Sequence, residues 1–134
     1  MTQTQFFEWL GAPMVNIRWS WGAVRTDGVV FLRIWRDERR SFEGKTFMRV
    51  SKHAHFADDQ ANLGYQERIE HIKLIRQGAR CYLVMCEANQ EKLPIREIKD
   101  FNSDDIFLAG RHVEIGGDSW LELAARVPAP SVRV

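Results

Sequence analysis

Apolar and polar residues alternate from Asn16 to Thr26 and again from Val29 to Arg36, and Asp27-Gly28 separates the two runs. An Asp-Gly pair between two β-rich runs predicts a hairpin with a two-residue turn, because both central positions of the favoured turn need positive φ. Shorter strands are expected at Thr46 to Val50, Arg80 to Cys86, Ile95 to Lys99, Ile106 to Leu108, His112 to Ile115 and Trp120 to Ala124, with Gly116-Gly117-Asp118 as a tight turn before the last. One long helix is expected from Leu63 to Gln77. Asn62 serves as its N-cap, Tyr65, Ile69, Ile72 and Ile75 or Arg76 form its apolar stripe, and Gly78 is its left-handed stop. Glu67, Glu70 and His71 with Arg68, Lys73 and Arg76 read as its exposed, charge-laced face. A short helix is expected at Gln5 to Leu10, closed by Gly11 and Pro13. These elements predict an α+β domain over residues 1–127. It is a curved, mostly antiparallel sheet or small barrel with one long packed helix and a short N-terminal helix. Pro128 and Pro130 mark residues 128–134 as a frayed tail or a junction to a missing segment.

A two-residue turn at Asp27-Gly28 opposes Ala23 to Leu32, Trp21 to Ile34 and Trp19 to Arg36 on one face, and Val24 to Phe31, Gly22 to Arg33 and Ser20 to Trp35 on the other. Large apolar groups then occupy both faces, so periodicity leaves open which face is core. The five tryptophans divide between two readings. All of them can be core or cross-strand packing residues, or two of Trp19, Trp21 and Trp35 can wall a pocket for a flat guest such as an extruded base. In the second reading Ser20, Asn16 and Gly22 add hydrogen-bonding groups and close backbone approach.

The composition changes this picture in two ways. Nineteen Lys and Arg against eighteen Asp and Glu give a formal net charge of +1, too balanced for indiscriminate polyanion coating, so any nucleic-acid contact must be a local patch. The candidates are Arg18, Arg33, Arg36, Arg39, Arg40, Lys45, Arg49, Lys52 and His53, several of them crowded into the segment after the hairpin and diluted by Asp37, Glu38 and Glu43. The competing reading of that segment is a solvated loop. The two cysteines, Cys81 and Cys86, have an odd spacing that sends them to opposite faces of a strand, so they are expected as buried free thiols of a reducing, cytoplasmic setting. No secretion signal and no run of about 18 apolar residues is present, so no membrane contact is expected.

Enzymatic signatures are weak. His53 and His55 with Asp58 and Asp59 have strand spacing for metal ligands, but no cysteine pair or further ligand set completes a site, so no metal and no cofactor is expected. Nucleophile-elbow, phosphate-loop and dinucleotide fingerprints are absent, and no catalytic residue is assigned.

Three stretches carry a resemblance: Asn62 to Ala88, Pro94 to Asn102, and Gly116 to Leu123, anchored by the triplet Phe101-Asn102-Ser103. Together they resemble the non-catalytic part of bacterial HNH-type, modification-dependent restriction endonucleases, and the architecture resembles the PUA-like superfamily of modified-base readers. The resemblance implies a reader without chemistry of its own, its nuclease in a missing domain or a separate subunit, with Trp19, Trp21 and Trp35 as an aromatic cage. The expected partner is double-stranded DNA carrying a methylated base, N6-methyladenine ahead of a modified cytosine. The alternatives are a protein-interaction or oligomerisation domain using the aromatic hairpin, and a small enzyme using His53 or His55.

Overall fold

The computed structural model describes residues 1–53, 61–88 and 98–134. Thr2 opens the first helix with a capping box, its hydroxyl accepting from the Gln5 amide while the Gln5 side chain accepts from the Thr2 amide. This helix, α1 (Gln3–Trp9), starts two residues earlier than its apolar content suggests, because the cap rather than the first hydrophobic residue sets the start. Eight strands follow among the described residues: β1 (Gly22–Val24), β2 (Val30–Trp35), β3 (Arg39–Phe42), β4 (Lys45–Ser51), β5 (Cys81–Ala88), β6 (Ile98–Phe101), β7 (Asp105–Ile115) and β8 (Asp118–Pro128). The long helix α2 (Leu63–Arg76) lies between β4 and β5, capped by the Asn62 side chain on the Tyr65 amide at 3.0 Å.

The strands form one open, mostly antiparallel sheet in the order β1-β2-β5-β7-β8-β4-β3, with β6 also paired to β5. The sheet does not close into a barrel. Among the described strands only β2 and β5 run parallel, in register from Val30 with Cys81 to Trp35 with Cys86. This central pair is covered on both sides, which explains why its sequence is apolar apart from Arg33 in β2 and Glu87 near the end of β5. Phe31, Tyr82, Val84 and Cys86 face α1 and the C-terminus, where Phe6, Phe7 and Leu10 fill the core. Val30, Leu32, Ile34, Cys81 and Leu83 face Ile72 of α2 and Met48, Val50 and Leu121 of the curling far strands. The two thiols thus sit on opposite sides, as their spacing requires, and burial pushes Cys81 up to about 12 and Cys86 to about 11. Thiols held protonated in this way are poor nucleophiles.

Four expectations need correction. The first hairpin forms one residue out of the expected register, pairing Gly22 with Leu32, Ala23 with Phe31 and Val24 with Val30. Its loop is longer than two residues, because the Arg25 amide bonds the Val29 carbonyl and the Gly28 amide bonds the Arg25 carbonyl, both at 2.8 Å. Gly28 takes the left-handed position at φ 87°. The cause is Arg25, a buried guanidinium bonded to the Leu10 carbonyl at 3.0 Å, the Val132 carbonyl at 2.7 Å and Asp27 at 3.0 Å. Second, the strand begins only at Gly22. Residues 17–19 form a turn in which the Ser20 amide reaches the Asn16 carbonyl at 2.8 Å, so strand alternation no longer directs Trp19 and Trp21. Third, residues 128–134, expected as a frayed tail or a junction to a missing segment, are not frayed: Ala129–Val132 form a 3-10 turn, Ala129 and Val132 join the core, and Arg133 lies over the Trp9 ring.

The fourth correction concerns α2. Arg68 and His71, expected on an exposed face, are only 4% and 6% exposed. Arg68 donates to the carbonyls of Val50, Trp21 and Arg33 at 2.6, 2.8 and 2.8 Å, tying β4, the chain entering β1, and β2 to one helix. These bonds span the gap that keeps the sheet open. Burial, with the neighbouring Arg33 cation, lowers the Arg68 guanidinium to about 10. For His71, burial and then the Arg68 charge depress the ring from 6.5 to about 4. Between those pH values the unfolded chain binds more protons than the folded one. The His71 contribution is therefore complete above about pH 6.5 and is lost as the pH falls toward 4, by up to about 3 kcal/mol. We expect the Tm to fall between pH 7 and pH 5, and His71→Leu to flatten that slope in a pH series of thermal melts. An unchanged slope would remove His71 as its source.

Candidate functional site

The β5 strand changes partners along its length. Tyr82 and Leu83 pair with β7, whereas Cys86, Glu87 and Ala88 pair with β6. At this fork the chain between β6 and β7 turns on Asn102, whose amide donates to the Met85 carbonyl at 2.9 Å. The Asn102 side-chain oxygen accepts from the Asp104 and Asp105 amides at 3.0 and 2.9 Å, which holds the turn rigid.

A cavity of about 720 Å3 opens beside the fork. Met85, Phe107 and Leu123 supply apolar wall, Phe101 to Asp104 line one side, and Arg36, Arg39 and Arg126 bring cationic groups to it. Arg126 pairs with Asp105 at 2.7 Å and lies 5.6 Å from the centre of the Phe107 ring. Arg36 pairs with Glu87. Arg39 and its neighbour Arg40, both exposed on the edge strand β3, make no ion pair among the described residues. The arrangement can hold a planar guest against apolar and aromatic surface while cations at the rim meet an attached anion.

The residues expected as a cage lie elsewhere. Ring pairs among the described residues join no two of Trp19, Trp21 and Trp35, and none of the three lines this cavity. Trp35 packs toward α1, whereas Trp21 lies against α2, where Arg68 sits 5.8 Å from its ring centre. Asn16, Ser20 and Trp21 do come together, but around Glu67. Ser20 donates to that carboxylate at 2.8 Å and the Trp21 amide at 3.1 Å, while Ser20 Oγ accepts from the Asn16 amide at 3.0 Å. Ser20 is buried, and these bonds dock the residue 16–21 segment onto the helix. At Gly22 an added Cβ would meet the Phe31 carbonyl at 2.5 Å, so its lack of side chain serves strand approach.

The expected phosphate contacts divide similarly. Arg36 and Arg39 reach the cavity, and Arg40 and Arg18 are exposed. Arg49 and Lys52 are bound to the buried Glu38 at 2.7 and 2.6 Å, Arg49 also to Asp118 at 3.3 Å. Lys45 pairs with Glu122 at 3.5 Å. Arg33 turns inward to the Gln3 side chain at 3.1 Å, and burial lowers its guanidinium. His53 is held by Tyr65 at 2.9 Å and Ser119 at 3.0 Å. The other members of the weighed metal set, His55, Asp58 and Asp59, lie outside the described residues. Sequence reasoning missed Met85, Phe107, Leu123 and Arg126 as site residues. Phe107 and Leu123 alternate as ordinary strand residues; the pairing of β7 with β8 sets them near each other, and the fork in β5 pairing opens the concavity beside them.

No helix among the described residues is long and apolar enough to cross a membrane. No protein-family model, curated protein or solved structure matches the chain.

Proposed function

We propose that this chain is a PUA-like DNA-binding module that receives an extruded, methylated base of double-stranded DNA in the cavity beside the β5 fork. The observation that carries the reading is the Met85, Phe107 and Leu123 surface set beside Arg36, Arg39 and Arg126. The guest site thus moves from the tryptophans to the fork. Extruding a base costs a few kcal/mol, stacking on an aromatic ring returns about 1–3 kcal/mol, and burying one methyl group adds roughly 1 kcal/mol. Phosphate contacts must supply the remainder, which suits the exposed Arg39 and Arg40 on the edge strand. N6-methyladenine ranks ahead of a modified cytosine as the guest. The restriction-enzyme resemblance of the Phe101-Asn102-Ser103 triplet supports a reader role in a restriction system, its nuclease in another domain or subunit.

The test is a fluorescence-anisotropy titration of duplexes with and without one N6-methyladenine across a salt series. We expect at least about tenfold tighter binding of the methylated duplex, on the scale of one buried methyl group plus shape exclusion. Arg39→Ala is expected to weaken both duplexes by the same factor and to reduce the salt slope by about one unit. Equal, weak binding of methylated, cytosine-modified and plain duplexes would end the proposal.

Val15 and Ile17, 79% and 68% exposed on either side of Asn16, favour a second reading in which this turn contacts a protein partner. A stable dimer indifferent to DNA, seen by sedimentation, would support it over the first.

A further inference from the structure

We infer that Asn102 reads the guest, its side-chain NH2 being the fixed hydrogen-bond donor of the cavity. This rests on the base-extrusion reading and assigns the group that makes the choice. Two backbone amides, of Asp104 and Asp105, converge on the side-chain oxygen. An amide N–H can only donate, so the atom it meets is an oxygen, and the two atoms of the Asn102 amide are distinguished by chemistry. Both lone pairs of that oxygen are occupied. What remains is the nitrogen with two donors, which meets no acceptor among the described residues, on a half-buried side chain that lines the cavity.

Rigidity separates Asn102 from the other donors present. Its main-chain amide is fixed to Met85 at 2.9 Å and its side chain is held twice more, so the NH2 cannot swing to follow a misplaced partner. Arg36, Arg39 and Arg126 are long and exposed, and two of them are already paired to carboxylates, which suits charge at the rim better than an edge of the guest. Discrimination between planar guests of similar size requires a donor or acceptor that cannot relax. Asp104, exposed and two residues further on, lines the same cavity and brings a carboxylate acceptor to it. Donor and acceptor in one cavity complement a base edge that places a ring-nitrogen acceptor next to an exocyclic N–H, as adenine, N6-methyladenine and cytosine do. The methyl of an N-methylated amine would then meet the neighbouring Met85 and Phe107 surface.

Asn102→Asp is the discriminating variant, because it keeps an oxygen for the two turn amides and replaces the donor with a second acceptor. Ser103→Asp adds the same charge at the adjacent cavity position and controls for electrostatics. We expect Asn102→Asp to retain the wild-type Tm within a few degrees and to lose about 30-fold in affinity for the N6-methyladenine duplex; the plain duplex, whose adenine lacks the methyl that offsets extrusion and is bound still paired, does not use Asn102 and is little changed, so the preference disappears. Ser103→Asp should weaken both duplexes by a common factor and keep the preference. If Asn102→Asp fails to fold, Asn102→Ser, whose hydroxyl can cap the same turn, is measured instead with the same expectation. A preserved preference in the folded variant would overturn the role of Asn102 while leaving base extrusion standing, whereas a wild-type protein with no preference would remove the reading beneath it.

Discussion

Replacing Arg68 by methionine is expected to lower the unfolding free energy by about 4 kcal/mol, a large fraction of the 5–15 kcal/mol typical of a whole domain. The guanidinium is buried and serves the carbonyls of Val50, Trp21 and Arg33. Exchanging a buried charge for an apolar residue is often neutral when its partner is exchanged as well. Here the partners are backbone oxygens that no substitution removes: the Trp21 carbonyl keeps the Arg33 amide at 3.0 Å, while the Val50 and Arg33 carbonyls lose the guanidinium with nothing in methionine to replace it. Arg68→Lys is expected to fare little better, since one ammonium lacks the planar fork that reaches β4, β2 and the chain entering β1 together. Urea unfolding of both variants measures the loss, and a change below about 1 kcal/mol would show that the sheet does not depend on this bridge.

Gly64→Ala carries the second large effect and runs against helix propensity. Alanine in place of glycine inside a helix normally adds about 1 kcal/mol of stability. Gly64 lies in the first turn of α2, where an added Cβ would overlap the Trp21 indole and sit 2.7 Å from the Trp19 carbonyl. The backbone carbonyl cannot yield cheaply, because the adjacent Ser20 and Trp21 are bonded to Glu67 on the same helix. We expect a net loss of about 2 kcal/mol from overpacking. A double-mutant cycle tests the cause: with Trp21→Ala already present, much of the penalty should vanish, and a penalty unaltered by the removal of the indole would exclude this contact.

The candidate site was only partly legible. Arg36 and Arg39 could be named from the cluster of basic residues after the first hairpin, whereas Asn102 stood only in a triplet that carried a resemblance and had no site role assigned to it. Arg49 and Lys52 belong to the same cluster and look identical in sequence, yet they are bound to Glu38. What separates them is the pairing of β4 with β8, which brings Asp118 of the distant hairpin to Arg49. The facing of Trp19 and Trp21 was illegible for a related reason. Alternation around Asp27-Gly28 holds only while the chain is a strand, and Ser20 leaves the strand because Glu67, 47 residues later, offers it a bond. The strand β3 escaped notice because its burial is slight and its turn, Glu43-Gly44, has a residue other than glycine at φ 51°.

Taken alone, the sequence determined whatever a few adjacent residues decide: the Asn62 cap and Gly78 stop of the long helix, the Gly116-Gly117 turn, the existence of the first hairpin and the opposite facing of Cys81 and Cys86. These follow from local dihedral preferences and from the two-residue period of a strand. Tertiary structure alone decided the one-residue register of that hairpin, the docking of the C-terminus, the burial of Arg25 and Arg68, and the fork that opens the cavity. Each of these depends on where backbone carbonyls are left without partners when an open sheet meets its helices, and those positions exist only once distant strands have paired.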